Sequence, residues 1–232
     1  IMPVGGTVTA IVPQSFEEIQ RVANTVIVGG LAPAALIKWP KDNDSDEVKR
    51  DLGRRNVAAV AGVLMAGAEL GVPPMAALRM FTSINGRPAL YADGNVAVVR
   101  RARDRDGNLI CGYIRQGYVQ GDTDAGTFAW CEAKRADNGE VHREEFSIED
   151  AKRAGLWEVE AIVEREVWEY DEAAKKRKPV KRKVPNDAPW FRYFKRMMMW
   201  RATGYCLRWL FADVLAGTVD EFEAREIEGL VD

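Results

Sequence analysis

Apolar positions recur at helical spacing between residues 54 and 70, as Val57, Val60, Ala61, Leu64, Met65 and Ala68, and predict a helix with a small-residue face. Gly71 and Pro73 end it. Upstream, Ser15 with Glu18 makes a capping box, which predicts a helix over 16–28 closed by Gly29 and Gly30. Val-Thr-Ala-Ile-Val at 8–12 reads as a short strand. Residues 31–40, with Pro33 and Pro40, read as a loop with at most one helical turn. The charged stretch 41–50 is either a loop or a helix start. Pro74 opens a short helix over 75–81. Asn85-Gly86 turns a hairpin inside 82–91. Asp93 caps a helix that runs to about Arg103.

The period changes from helical to alternating over 108–146. Three alternating runs, separated by Gly121-Asp122 and Asn138-Gly139, predict a small antiparallel meander. Ser147 with Asp150 opens a short helix, 148–154, closed by Gly155. In 156–186 an acidic block meets a basic one, Lys175–Lys183. Val159, Ile162, Val163, Val167 and Trp168 suit a long hairpin, and the charge runs suit a disordered linker. Asp187 and Pro189 open a helix expected to reach residue 211. Thr218 with Glu221 caps a last acidic helix.

The 187–211 stretch changes the picture. It interleaves Arg192, Lys195, Arg196, Arg201 and Arg208 with Trp190, Tyr193, Phe194, Trp200, Tyr205 and Trp209. Cations among flat rings suit an anionic ligand with bases of its own. At 100° per residue, Arg192, Lys195, Arg196 and Thr203 share one side of a continuous helix, with Arg201 and Arg208 opposite. Two basic stripes facing apart imply that one packs against acids, another subunit or a second wall of the ligand site. A core helix with solvated cations is the plain alternative. Net charge is only −2, yet twelve of the 33 Lys and Arg and one of the 35 acids lie between Lys175 and Arg208. That segment carries +11 and the rest −13. Such polarity suits a polyanion or head-to-tail self-association. The Lys175–Lys183 run is either a phosphate contact or a solvated loop.

Other chemistries find little support. No apolar run approaches membrane-spanning length, and no signal peptide is visible. Three distant cysteines, Cys111, Cys131 and Cys206, suggest reduced thiols and a cytoplasmic protein. No phosphate-binding G-x-x-x-x-G-K-[ST] loop is present, which disfavours an ATP-driven motor. His142 is the one histidine, so no hydrolytic triad forms, and the cysteines lack zinc-ligand spacing. Glutamates between 158 and 169 are candidate Mg²⁺ ligands or a solvated face.

Three blocks recur in a telling order. The first is Met65-Ala-Gly-Ala-Glu-Leu-Gly-Val-Pro-Pro-Met-Ala-Ala-Leu-Arg79, continued by Ile84-Asn-Gly-Arg-Pro-Ala-Leu-Tyr-Ala92. The second is Phe146-Ser-Ile-Glu-Asp-Ala-Lys-Arg-Ala-Gly-Leu-Trp157. The third is Pro189-Trp190, Lys195-Arg196-Met197, Trp200-Arg201-Ala202 and Phe211-Ala-Asp-Val-Leu-Ala-Gly217. Over roughly 55–217 the chain thereby resembles the phage and prophage RecT/Redβ family of single-strand annealing proteins. Residues 1–54 and 158–188 lie outside the resemblance.

The resemblance implies a recombinase that needs no ATP or other cofactor. It would bind single-stranded DNA, pair it with a complementary strand and hold the annealed duplex on a homo-oligomeric ring or helical filament. It also implies a positively charged groove that grips the backbone, a phage exonuclease partner and a bacterial host cytoplasm. On matched positions, Lys195 and Arg196 are the first candidate DNA contacts, followed by Arg201. Arg79 and Arg87 come from the first block, and Lys152 and Arg153 from the second. Arg192 and Arg208 rest on the helix argument alone. Trp190 and Trp200 suit either base stacking or packing, and Trp157 suits the core. Phe194 replaces the family's proline ahead of Lys-Arg-Met, and the pI of about 5.7 departs from a broadly basic groove.

The expected architecture is α+β, a helical body around a small antiparallel sheet with a DNA-binding groove. Residues 1–54 would form an N-terminal helix and loop region for subunit contacts, 55–217 the annealing core, and 218–232 an acidic C-terminal helix. The expected activity is strand annealing without nucleotide hydrolysis, not an enzymatic reaction. The alternatives are a metal-dependent nuclease and a non-catalytic oligomer that coats single strands.

Overall fold

A computed structural model describes residues 13, 15–84, 86–171 and 175–224. The chain is α+β, and among the described residues there are two two-stranded antiparallel sheets and one of three strands. It divides into two compact units. One comprises Ile1–Ile114, Ala133–His142 and Cys206–Asp232; the other comprises Arg115–Glu132 and Arg143–Tyr205. The strand expected at 8–12 and the turn residue Asn85 lie outside the described residues. Among the described residues, no single helix is long and apolar enough to cross a membrane.

In the first unit, α1 (Phe16–Val28) begins where the Ser15 hydroxyl accepts the Glu18 amide at 3.2 Å, and Gly29 closes it. Helix α2 (Asp46–Glu69) starts eight residues earlier than its apolar period suggests. Ser45 caps it by accepting the Val48 amide, so the charged segment 41–50 is a turn followed by a helix start at Asp46. A 3-10 turn, Ala34–Leu36, precedes it. Buried Asn56 fastens the following chain by bonding both backbone groups of Lys38, at 2.9 and 3.0 Å. Val60, Val63 and Leu64 of α2 lie in the core with Leu78 of α3 (Pro74–Met80). Gly67 permits close packing, because a Cβ there would meet the Ala77 Cβ at 2.4 Å.

Strands β1 (Phe81–Ile84) and β2 (Arg87–Leu90) form the expected hairpin, pairing Phe81 with Leu90. Helix α4 (Ala92–Arg101) follows, with Tyr91 at its cap position and Asp93 inside the first turn. The sequence assigns the cap to Asp93; the helix begins two residues too early for that. The meander is present as β3 (Cys111–Val119), β4 (Phe128–Arg135) and β5 (Val141–Ser147), in that order. Helix α5 (Ile148–Arg153) opens with the full Ser147–Asp150 capping box.

Of ribbon and linker, the strands on either side of 172–174 form the antiparallel ribbon. β6 (Ile162–Asp171) pairs with β7 (Lys176–Pro185) over ten residue pairs. The Asn186 amide donates to the Ala161 carbonyl at 2.8 Å, which fixes the alternation of the ladder. Val163–Val184, Arg165–Arg182 and Val167–Val180 are therefore hydrogen-bonded pairs. Glu164–Lys183, Glu166–Lys181, Trp168–Pro179 and Tyr170–Arg177 turn their backbone groups outward. Both prolines of β7, Pro179 and Pro185, fall at outward positions, where no ladder donor is lost.

The expected long helix is broken. Helix α6 (Pro189–Arg192) is capped at Ala188, whose amide bonds the Asn186 side chain rather than Asp187. Tyr193 leaves helical geometry at φ −137° and ψ 37°, and α7 (Phe194–Leu210) starts afresh. The break lets Trp190 face Phe146 while Phe194 faces Trp157 and Tyr118. Helix α8 (Ala212–Leu215) follows. At the C-terminus Asp220, not Thr218, accepts the Phe222 and Glu223 amides at 3.0 and 2.9 Å, so the helical turn at 221–224 begins two residues later than the capping box suggests. The rest of that expected helix lies outside the described residues.

Candidate nucleic-acid interface

The start of α7 gathers cations and rings in the second unit. Phe194 occupies the first helical position, where a proline would also be tolerated. Its ring meets Trp157 edge-on at 5.5 Å and Tyr118 at 6.3 Å. Next to it, the exposed Lys195 ammonium sits 5.0 Å from the Tyr118 ring centre. The exposed Arg196 guanidinium lies 5.9 Å from the Tyr193 ring centre. Arg192, also exposed, ends α6 one turn earlier. Among the described residues, none of these three cations has a carboxylate within 4.0 Å. Among those residues, the three charges face solvent without an acidic neighbour at that distance.

The other candidate cations are placed differently. Arg201 is buried, 3% exposed, with its guanidinium 6.0 Å from the Phe146 ring centre and 5.8 Å from that of Tyr205. Thr203, which shares the angular side of Lys195 and Arg196, is buried too and lies 2.8 Å from Gln116 Oε1. Lys152 is ion-paired to Asp124, and Arg153 to Glu149 at 3.1 Å and Asp150 at 3.6 Å. In the first unit, Arg208 is ion-paired to Glu223 and half-buried. Arg79 donates back to the Met75 carbonyl of its own helix, and Arg87 is exposed at the start of β2. Trp190 and Trp200 are half-buried, and the Trp190 ring is 6.3 Å from Phe146. Trp157 is half-buried against Phe194.

Tyr118, which no motif in the sequence marks, lines the Lys195 site from β3. Burial pushes its hydroxyl pKa up, and that hydroxyl bonds Gln120 at 3.0 Å. Only strand alternation hinted at its face. Another cation–ring pair lies on the sheet, where the Arg143 guanidinium is 4.5 Å from the Trp130 ring centre. Gly117 opens the space for that indole, since a Cβ would come within 2.7 Å of its Nε1. Arg143 is also held by Glu145 at 2.9 Å, so its charge is spent locally.

The candidate acidic cluster is dispersed. Glu158 pairs with Arg165 at 3.3 Å, and Glu169 pairs with Arg182. Among the described residues, no group of three or more His, Cys, Asp or Glu side chains is placed to hold a metal ion. All three cysteines are buried. No protein-family model, curated protein or solved structure matches the chain.

Proposed function

We propose that this chain is an ATP-independent single-strand annealing protein. It binds single-stranded DNA through its backbone and pairs complementary strands on a homo-oligomeric ring or filament. The observation that carries the reading is the cluster of Arg192, Lys195 and Arg196, exposed, without carboxylate partners among the described residues, and set among Tyr118, Tyr193 and Phe194. Annealing needs affinity without sequence readout, so contacts belong on phosphates, with the base edges left free. Point charges beside ring faces supply that combination. The ordered blocks of the RecT/Redβ resemblance point the same way. The groove, the assembly, the exonuclease partner and the bacterial cytoplasm belong to the same proposal.

A salt titration of single-stranded DNA binding tests it. Lys195→Ala with Arg196→Ala lowers affinity and flattens the salt dependence by about 0.7 in log–log slope per lost phosphate contact. An unchanged affinity and slope removes these residues from the interface.

A further inference from the structure

We propose that the β6–β7 hairpin is a base-stacking arm, with Trp168 and Tyr170 receiving unpaired bases of the bound strand and Arg177 meeting its backbone. The proposal rests on the single-strand-binding reading above. It adds a site built wholly from residues outside the family resemblance.

The register places Trp168, Tyr170, Arg177 and Pro179 on one face of the ribbon. Both rings are 61% exposed, and Arg177 and Pro179 are exposed as well. Glu164 and Glu166 share this face nearer its base, opposite Lys183 and Lys181. The half nearer the tip thus holds two rings and a cation and, among the described residues, no carboxylate. The opposite face carries the half-buried valines Val163, Val167, Val180 and Val184, which hold the ribbon together. The aromatic face is not needed for that. Same-face neighbours on a strand lie about 6.8 Å apart, roughly twice the 3.4 Å rise per nucleotide of a stacked strand. Two rings at that spacing address nearby bases of one strand.

A protein strand added to the ribbon's edge fits these observations less well. The outward backbone positions of β7 lack an N–H at Pro179 and Pro185, and its remaining edge is lysine-rich. On β6, Glu164 and Glu166 sit at outward positions and repel a second copy of the same strand.

The test compares oligo(dT) with an abasic oligonucleotide of equal length, using wild type, Trp168→Thr/Tyr170→Thr and Trp168→Phe. Threonine keeps the strand preference, and circular dichroism checks the fold. The double variant is expected to lose at least about fivefold affinity for oligo(dT) and none for the abasic strand, with Trp168→Phe near wild type. Unchanged oligo(dT) affinity overturns the arm, as does an equal loss on both ligands. A DNA-free change in sedimentation with oligo(dT) affinity retained overturns it too, in favour of a protein contact. If wild type binds oligo(dT) and the variant binds equally, only the arm fails. Wild type that does not bind at all overturns the strand-binding reading along with it.

Discussion

Arg135 grips Asp213 with both terminal nitrogens, Nη1 to Oδ1 at 2.6 Å and Nη2 to Oδ2 at 2.9 Å. The same guanidinium donates to the Leu210 carbonyl at 3.0 Å, satisfying one of the open carbonyls at the end of α7. Asp137 takes its other side, at 2.9 and 2.7 Å. These hydrogen bonds hold both carboxyl groups below the ordinary carboxylate range and raise the arginine's own pKa. One buried arginine thus ties the end of β4 to the junction between α7 and α8.

That junction has a pH signature. A depressed folded-state carboxyl pKa stabilises the protein above the ordinary value of about 4, and the gain fades as pH falls through the folded pKa. Asp213→Ala should cost about 1–2 kcal/mol at neutral pH, discounted for the exposure of that carboxylate. The corresponding fall in Tm is about 2–8 °C. Thermal melts should find the gap between variant and wild type shrinking below about pH 4. A gap of constant size would show that the charge contributes nothing.

Packing of α2 on α3 predicts opposite outcomes for two glycines of one helix. Gly67→Ala forces a methyl onto Ala77 and should cost about 1–3 kcal/mol. Gly62 has nothing within 4 Å of an added Cβ, so Gly62→Ala should be neutral or stabilising by up to about 1 kcal/mol. Urea denaturation of the two variants checks this. Ala77→Gly should restore the Gly67→Ala variant.

Arginines on either side of α7 should separate stability from binding. Arg201 is buried against Phe146 and Tyr205, so Arg201→Ala should destabilise the fold by about 2 kcal/mol or more. Arg196→Ala should leave stability within about 0.5 kcal/mol, since the side chain is exposed, and lower DNA affinity instead. Paired melts and binding isotherms distinguish the two.

Local chemistry made much of the fold legible. Ser15 and Gly29 bracket α1 as the sequence indicates, and Ser147 with Asp150 opens α5. The alternation of 108–146 gave three strands in meander order. What escaped depends on partners distant in sequence. Tyr193 breaks the helix because Trp190 and Phe194 are drawn to different rings, which periodicity does not register. The +11 segment announces a charged surface but not which cations pair with distant acids. Asp124 and Glu223 take Lys152 and Arg208 across 28 and 15 residues of chain.

The most direct test is fluorescence-monitored annealing of two complementary oligonucleotides by this protein without ATP, followed by a denaturing gel. Pairing accelerated over the protein-free rate, with both strands intact, is the predicted result. No acceleration despite tight binding would contradict annealing and leave a strand-coating protein. Shortened strands that stay intact in EDTA would contradict it in favour of a nuclease.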